Sequence, residues 1–280
     1  MGLQNDIENL FSFQKNEWPK LNESISILDE VREKQFNWGD NFSVKVQFNP
    51  ARITSTGANT DYRHINGRPC FICEQNRPTE QKGIVFLEKY IILCNPFPIL
   101  RNHITIPLHS HVPQRIRNKI GEMLTLTEKL PHYVVFYNGP KSGASAPDHF
   151  HLQAGLKVPE LMQGDNELRS CLMIEGESIT ESIELFEEVY QYLRYQQPEE
   201  EEPMLNVITF MEDNKYKTHI FPRKLHRPKQ FYAEGSKKLL ISPGALDMAG
   251  IIITVREEDF DKIDKQDIED IYVQVSLPIM

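Results

Sequence analysis

The chain has 280 residues, 40% of them hydrophobic, which is enough apolar material for one large domain or two half-domains. Its net charge of −9 is the opposite of the basic face of nucleic-acid-binding proteins, and no apolar run is long enough to span a membrane. Four cysteines, with no secretory signal at the start, predict a reducing cytoplasm rather than a secreted disulfide framework.

Hydrophobic periodicity in the first half of the chain predicts both helices and strands. Helices are expected over residues 3–36 and 113–130, and a polar loop over 53–67. The predicted strands are 43–48, 84–87, 90–94, 103–107, 133–137 and 149–157, the second and third of which form a hairpin. This mixture of strands and helices indicates an α+β protein.

The second half repeats this rhythm loosely. A helix is predicted over 179–195, then an acidic linker whose run Glu199–Glu202 is interpreted as solvated. The remaining predictions are a hairpin of 206–210 and 216–221, strands 239–241 and 250–255, and a helix over 260–275. We therefore divide the chain into an N-terminal helical segment (1–42), a catalytic half (43–178) and a C-terminal half (179–280).

A short shared pattern suggests that the two halves are duplicates. The first half has His103-Ile104-Thr105-Ile106-Pro107, and the second has His219-Ile220-Phe221-Pro222. The match is short, and coincidence is the alternative.

The segment 138–153 carries the strongest chemical signal. It places His149, His151 and Gln153 behind a loop of small and hydroxyl-bearing residues. Alternate residues of a strand point to one face, so all three are expected to share a face. Neutral imidazole is a good nucleophile toward phosphorus when its other nitrogen is held by an acceptor. The alternative is a polar sheet face without chemistry.

Cys70 and Cys73 form a C-x-x-C pair, which is typical of zinc sites but also of redox pairs or reduced buried thiols. His111 and His149 are the best candidates for two further ligands, and a Cys₂His₂ set would form a closed, structural site. The reserve candidates are His64, His103 and His109. The other two cysteines, Cys94 and Cys171, stand among apolar neighbours and are predicted to be buried.

A phosphate cradle is predicted in the loop before the histidines. Its candidate donors are Asn138, Ser142, Gly143 and Ser145. Lys141 and Arg52 are expected to offset phosphate charge, and a basic cluster at 223–229 to reach over the site and bind an acceptor. Plain surface loops are the alternative for each of these.

At these residues the chain resembles the transferase branch of the histidine-triad superfamily. That branch contains galactose-1-phosphate uridylyltransferase, diadenosine tetraphosphate phosphorylase and GDP-galactose phosphorylase. The stretch His149-Phe150-His151-Leu152-Gln153 is similar to its His-x-His-x-Gln, whereas the hydrolase branch has a third histidine at the position of Gln153. The order of the other motifs extends the resemblance over roughly residues 45–260.

The resemblance implies a histidine-triad-like antiparallel sheet with flanking helices, in two half-domains of which the second is degenerate. It also implies that His151 is the nucleophile, that Gln153 binds the phosphate, and that Cys70, Cys73, His111 and His149 hold zinc. Two residues depart from the family patterns. Asp148 interrupts the Pro-His step of the uridylyltransferases, which places the chain nearer the phosphorylases, and His109 leaves the third zinc ligand open.

The resulting hypothesis is a nucleotidyltransferase or phosphorylase that acts through a covalent nucleotidyl-histidine. Its expected substrates are a nucleoside diphosphate sugar or a dinucleoside polyphosphate, with phosphate or a sugar phosphate as acceptor. The resemblance also makes a homodimer an expectation. The alternative is a non-catalytic nucleotide-binding protein on the same fold.

Overall fold

The structure is a computed structural model that describes residues 2–39, 42–163 and 168–279. The strands are β1 (Arg32–Trp38), β2 (Phe42–Phe48), β3 (Gly83–Phe86), β4 (Tyr90–Cys94), β5 (Ile104–Pro107), β6 (Tyr133–Asn138), β7 (His151–Leu156), β8 (Leu172–Gly176), β9 (Leu205–Glu212), β10 (Lys215–Pro222) and β11 (Ile251–Thr254). The helices are α1 (Leu3–Glu17), α2 (Pro19–Asp29), α3 (Ile53–Thr56), α4 (Tyr62–Gly67), α5 (Ile120–Lys129), α6 (Ile179–Gln196), α7 (Lys229–Tyr232), α8 (Ala245–Ala249), α9 (Glu257–Lys262) and α10 (Lys265–Val275).

Two sheets organise the fold. The larger is antiparallel, with strand order β3-β4-β5-β7-β6-β9-β10-β8. The smaller has the order β1-β2-β11, in which β11 runs parallel to β2. The predicted α+β fold with an antiparallel sheet and flanking helices is therefore confirmed.

The large sheet contains a repeated unit of strand, helix, strand, strand. In β5-α5-β6-β7 and in β8-α6-β9-β10, the last strand lies between the other two, and the units join through β6 and β9. This arrangement supports two related halves. The short sequence pattern does not, because it matches β5 with β10, and those strands occupy different places in the unit.

The large sheet is covered on both faces. Val135 and Tyr137 point into a core formed with α1, α2, α5 and α6. Val134 and Phe136 point into a second core formed with β2, β11, α8 and α10. Among the described residues no helix is long and apolar enough to cross a bilayer.

The predicted N-terminal helix over 3–36 is wrong in its second part. Helix α1 ends before Trp18, and Pro19 begins α2. Helix α2 ends at Asp29, and 32–38 form β1, whose side chains alternate and which pairs along its whole length with β2. Strand pairing therefore overrides the helical spacing in that part. The three predicted domains stay a proposal, and residues 1, 40–41, 164–167 and 280 within them lie outside the described residues.

Further elements differ from their predictions. The helix predicted over 113–130 begins only at Ile120, as α5, and β8 was not predicted. The polar loop over 53–67 contains the short helices α3 and α4. Residues 239–241 have no strand partner within the described residues, although the side chains of Leu239 and Ile241 are buried. The closing helix is divided, because the Asp264 side chain caps a new helix by accepting from the Asp267 N–H at 2.9 Å.

The predicted hairpins are confirmed. Strands β9 and β10 are joined by Asp213 and Asn214, both at positive φ (50° and 61°), which is the geometry of a tight two-residue turn. Strands β3 and β4 pair from Gly83↔Leu93 to Phe86↔Tyr90.

Candidate active site and metal centre

His151 begins β7, and its backbone is held by one buried side chain. Gln114 Oε1 accepts from the His151 N–H at 2.8 Å, and Gln114 Nε2 donates to the His151 carbonyl at 2.9 Å. The same Nε2 donates to the Asn138 carbonyl at 3.0 Å. Gln114 therefore joins the start of β7 to the end of β6.

The His151 ring has a defined tautomer. Its Nδ1 lies 2.8 Å from the His149 carbonyl oxygen, which can only accept, so Nδ1 carries the proton. Nε2 then keeps its lone pair. Burial lowers the pKa of His151 to about 4, which leaves the ring neutral at pH 7. A neutral imidazole with a free Nε2 is the form that can attack an electrophile.

His151 lines a cleft of about 630 Å³ beside the smaller sheet. Of the residues predicted to be catalytic or to bind substrate, the structure brings six to this cleft: Arg52, Asn138, Gly143, Ser145, His151 and Gln153. His64, a reserve candidate for the metal, also lines it. Its volume is in the range of small-molecule sites.

Lys141 and Ser142 do not line this cleft, although they were predicted to bind phosphate. The Lys141 side chain is exposed and pairs with Glu200 at 2.7 Å. Ser142 is fully buried, and its carbonyl accepts a hydrogen bond from Asn206 Nδ2 at 2.5 Å. The loop instead packs against the start of α8. A Cβ on Gly143, which has φ +95°, would lie 2.7 Å from Gly244 Cα.

Asn138 lines the cleft, but its side-chain oxygen accepts hydrogen bonds from other parts of the protein. Asn138 Oδ1 accepts from Ala245 N at 2.7 Å and from Asn206 Nδ2 at 2.9 Å. It thereby joins β6, β9 and α8 at the wall of the cleft.

The positive charge of the cleft comes from several parts of the chain. Arg52 donates to the Phe97 carbonyl, and its Nε is buried and has no hydrogen-bond partner among the described residues. Burial lowers the pKa of Arg52 to about 10, so it stays charged at pH 7. The cleft is also lined by Lys20, Arg68 and Arg77, which sequence analysis missed. Arg68 had one available signal, its place two residues before Cys70.

The four predicted metal ligands lie together. Cys70 Sγ, Cys73 Sγ, His111 Nδ1 and His149 Nδ1 are all within 4.8 Å of one another and form a group that could hold a metal ion. Cys73 Sγ is 3.2 Å from His111 Nδ1 and 3.4 Å from His149 Nδ1. Tetrahedral zinc with one sulfur and one nitrogen ligand separates those atoms by about 3.6 Å. The donors and their spacing therefore fit such an ion.

Outer contacts orient these ligands. His149 Nε2 lies 2.8 Å from the Leu108 carbonyl oxygen, so it donates there and leaves Nδ1 for the metal. Asp148 lies 3.5 Å from His111 Nε2 and 3.2 Å from Arg68 Nη2. His64, His103 and His109, the reserve candidates, lie outside this group of four.

The expectation that His149 shares a strand face with His151 and Gln153 is wrong. His149 lies in the turn before β7, and its ring faces the cysteines. Only His151 and Gln153 line the cleft. The strand begins too late to impose its alternation on His149.

The basic cluster at 223–229 was predicted to bind the acceptor substrate, but its two arginines are engaged within the protein. Arg223 is fully buried and donates to four neighbouring carbonyl groups and to Asn206 Oδ1. Arg227 donates to Ser242 Oγ and to the Ala58 carbonyl. Both side chains join segments of the fold.

The acidic run 199–202 is not uniformly solvated either. Glu202 is 4% exposed and accepts from the Tyr137 hydroxyl and from Ile116 N. Burial raises the pKa of Glu202 to about 7. The Tyr137 hydroxyl oxygen also lies 3.0 Å from the Gln114 carbonyl oxygen, so this buried group is linked to the residue that holds His151.

The candidate site lies on the large antiparallel sheet, which is built from a repeated unit of strand, helix, strand, strand. The chain belongs to the family described as a domain of unknown function, DUF4922, whose model matches residues 10–156. A comparison with curated proteins finds no match.

The chain is similar to several solved structures. The yeast Ap4A phosphorylase Apa2 in complex with AMP superposes with a TM-score of 0.59 at 16% identity, covering 94% of this chain and 98% of that chain. The same values describe Apa2 in complex with Ap4A. A DUF4931 family protein from Bacillus cereus matches 60% of this chain and 96% of its own at 17% identity, with a TM-score of 0.35. The predicted α+β fold, an antiparallel sheet with flanking helices, is therefore shared with the Apa2 structures.

Proposed function

We propose that the protein is a nucleotidyltransferase of the phosphorylase type that acts through a covalent nucleotidyl-histidine. The observation that carries the proposal is the free Nε2 of His151, whose tautomer is fixed by the His149 carbonyl and which lines a cleft with cationic walls. An attacking nitrogen and positive charge are what transfer of an anionic phosphoryl group requires.

The chemistry proceeds in two displacements. His151 Nε2 forms a bond to the α-phosphorus of the substrate, and the bond from that phosphorus to the bridging oxygen breaks. The first product leaves with that oxygen. Inorganic phosphate or a sugar phosphate then attacks the same phosphorus, and the bond to His151 breaks. The acceptor therefore carries away the nucleotidyl group, and the imidazole is regenerated.

Several cleft residues have roles in this scheme. Gln153 donates to a non-bridging oxygen of the transferring phosphoryl group, and Ser145 supports it from the loop. Arg52 and Arg68 offset the charge of the remaining phosphates. Lys141 and Ser142 are not included, because the first is paired on the surface and the second is buried.

The substrate class we propose is a dinucleoside polyphosphate or a nucleoside diphosphate sugar. The yeast Apa2 structures that share the fold contain AMP and Ap4A. This likeness supports a nucleotide as ligand, and the cationic residues of the cleft support a substrate with several phosphates.

We also propose that the metal is zinc, held by Cys70, Cys73, His111 and His149. Two thiolates and two imidazoles form a closed set without a free position, so the ion would supply structure rather than a reactive water. By holding His149, it would set the position of the carbonyl that fixes the tautomer of His151.

The covalent step is tested with Ap4A carrying a labelled α-phosphate. We expect protein-bound label that is stable to base and labile to acid, and that is absent in His151→Ala. A wild-type protein that turns over Ap4A without acquiring label, or a fully active His151→Ala variant, would exclude the covalent route. Nucleotide binding without exchange of phosphate into nucleoside diphosphates would favour the non-catalytic alternative.

A further inference from the structure

A fully buried histidine, His103, lies beneath Gln153. It is not one of the four candidate metal ligands, Cys70, Cys73, His111 and His149, which together form the Cys–His group. Its ring packs against Phe136 with centroids 5.5 Å apart. His103 Nε2 is 3.0 Å from Gln153 Oε1. A buried ring at this distance can fix the orientation of the Gln153 side chain.

The backbone determines the tautomer of His103. The Ile99 N–H donates to His103 Nδ1 at 3.0 Å, and a backbone N–H can only donate. Nδ1 is therefore the bare nitrogen, and the proton of the neutral ring is on Nε2. Burial and the nearby Arg52 lower the pKa of His103 to about 3, so the ring stays neutral. The Nε2–H then donates to Gln153 Oε1.

A second amide adds to this orientation. The Phe97 N–H donates to Asn95 Oδ1 at 2.8 Å, which makes Asn95 Nδ2 the atom that faces the histidine and the glutamine. Asn95 Nδ2 donates to Thr105 Oγ1 at 2.9 Å and to Gln153 Oε1 at 3.4 Å. Its 3.4 Å approach to His103 Nε2 brings together two donors and is not a hydrogen bond.

Gln153 Oε1 consequently has two donors, one for each lone pair. The structure gives Gln153 Nε2 no partner within the described part of the chain, and Gln153 lines the cleft. The amide therefore presents its N–H₂ to the space in front of His151. In the flipped amide, the oxygen lone pairs would point toward an anionic phosphate. The Gln153 N–H₂ would then face the two donors, His103 Nε2–H and Asn95 Nδ2, which have no lone pair to offer it.

We propose that His103 is a positioning residue that holds the Gln153 amide with its N–H₂ toward the transferring phosphoryl group. This inference rests on the proposed function for its consequence in catalysis. Its structural part, the tautomer of His103, is independent of any activity.

The first experiment measures that tautomer. Protein labelled with ¹⁵N-histidine is observed by NMR through the long-range couplings of the ring, with His103→Ala used for assignment. We expect a protonated Nε2 and a bare Nδ1 for His103, unchanged between pH 5 and pH 8. A proton on Nδ1, or a ring that becomes charged in this range, would overturn the inference whatever the protein catalyses.

The second experiment is a double-mutant cycle on turnover of Ap4A. We expect Gln153→Ala to lower kcat by about 100-fold, as for loss of one donor to a developing charge. His103→Ala should lower kcat by about 10-fold with little change in KM, in line with loss of an outer-shell partner. In a Gln153→Ala background, His103→Ala should cost nothing further. An equal additional loss in that background would overturn the inference.

His219 provides a matched control. It is a buried histidine of the same sheet, 5% exposed, packed edge-on against Phe210 at 5.2 Å and outside the cleft. His219→Ala should lower stability as His103→Ala does and leave kcat unchanged. A similar loss of kcat in both variants would assign the effect of His103 to packing and overturn its positioning role. A fully active Gln153→Ala would instead contradict the proposed function and leave the tautomer measurement standing.

Discussion

At the scale of single residues, Gln114 holds the backbone of His151 in place. Its side chain bonds to both backbone groups of His151 and to the Asn138 carbonyl. A buried carbonyl or N–H left without a partner costs about 1–3 kcal/mol. The position of His151 therefore depends on a residue that carries no chemistry of its own.

We expect Gln114→Ala to lower the free energy of unfolding by about 2–3 kcal/mol, because it leaves several buried groups unpaired, and to lower kcat as well. Gln163 is a matched control. It accepts from Ser43 N at 2.6 Å and donates to the Ser43 carbonyl at 3.0 Å, and neither residue lines the cleft. Gln163→Ala should reduce stability and spare kcat. Denaturant unfolding and the Ap4A assay measure both quantities, and equal losses of kcat would contradict a specific role for Gln114.

Glu202 makes stability depend on pH. Its pKa in the folded protein is raised from 4.5 to about 7 by burial, with Arg115, Tyr137 and two backbone N–H groups acting in the opposite direction. Between these pH values the folded state binds more protons than the unfolded state. Stability therefore falls as pH rises through this window, by up to about 3 kcal/mol from this group alone.

The variant Glu202→Gln resembles the protonated side chain and does not titrate. We expect it to match the wild type near pH 4, below the pKa of this carboxyl in the unfolded chain, and to be the more stable protein at pH 8. Urea unfolding at the two pH values measures the difference between the two proteins. A difference that does not change with pH would refute the assignment.

At the scale of elements, the segment with Cys70 and Cys73 is joined to the turn before β7 by the Cys–His group. Cys73 contacts His111, about 40 positions further along the chain, and His149, about 80 positions further along. A metal held by these residues would therefore close long loops. A metal at this point would also join loops that have little apolar burial of their own. Among the described residues, their apolar cluster consists of Cys70, Ile72 and Ala146, with the partly buried Cys73 packed against them.

We expect the purified protein to contain one zinc ion per chain and Cys73→Ala to lose it, with a lower melting temperature. Cys94→Ala is the control, because Cys94 is fully buried in the main core and is not in the Cys–His group. Elemental analysis and thermal unfolding report the two effects. Zinc retained in Cys73→Ala, or lost equally in Cys94→Ala, would contradict the assigned ligands.

At the scale of the whole molecule, the two halves depend on each other. Strands β6 and β9 pair at the centre of the large sheet, and Thr127 Oγ1 lies 2.6 Å from Thr209 Oγ1 across the join. The second core combines Phe136 from the first half with Ile208 and Ile271 from the second. The N-terminal half alone would therefore expose a large apolar surface.

We expect a fragment of residues 43–178 not to fold cooperatively, although it contains His151 and all four metal ligands. Circular dichroism in the near-ultraviolet and urea unfolding, compared with the full chain, measure this. A sharp unfolding transition of the fragment would show that the halves are independent domains.

Local patterns in the sequence predicted much of the fold. Alternation and turn residues identified most strands and the Asp213-Asn214 hairpin, because these depend on neighbours along the chain. They did not predict β1, because its pairing with β2 overrides the helical spacing of its side chains. They also did not predict the break between helices at Asp264. Burial of Glu202 was also missed, because a run of acidic residues carries no sign that one of them accepts hydrogen bonds from distant groups.

The sequence by itself predicted the α+β class from its hydrophobic periodicity, and it showed the His-x-His-x-Gln motif and the Cys70–Cys73 pair as spacings along the chain. It offered His111 and His149 as further metal ligands but left His109 open as the third ligand. Only the tertiary structure decided which side chains line the cleft, and it included Arg68 and left Lys141 outside. It also decided the tautomers of His103 and His151, because a ring nitrogen keeps or gives up its proton according to the backbone groups that packing places against it. Those contacts join segments distant in sequence, so no local pattern records them.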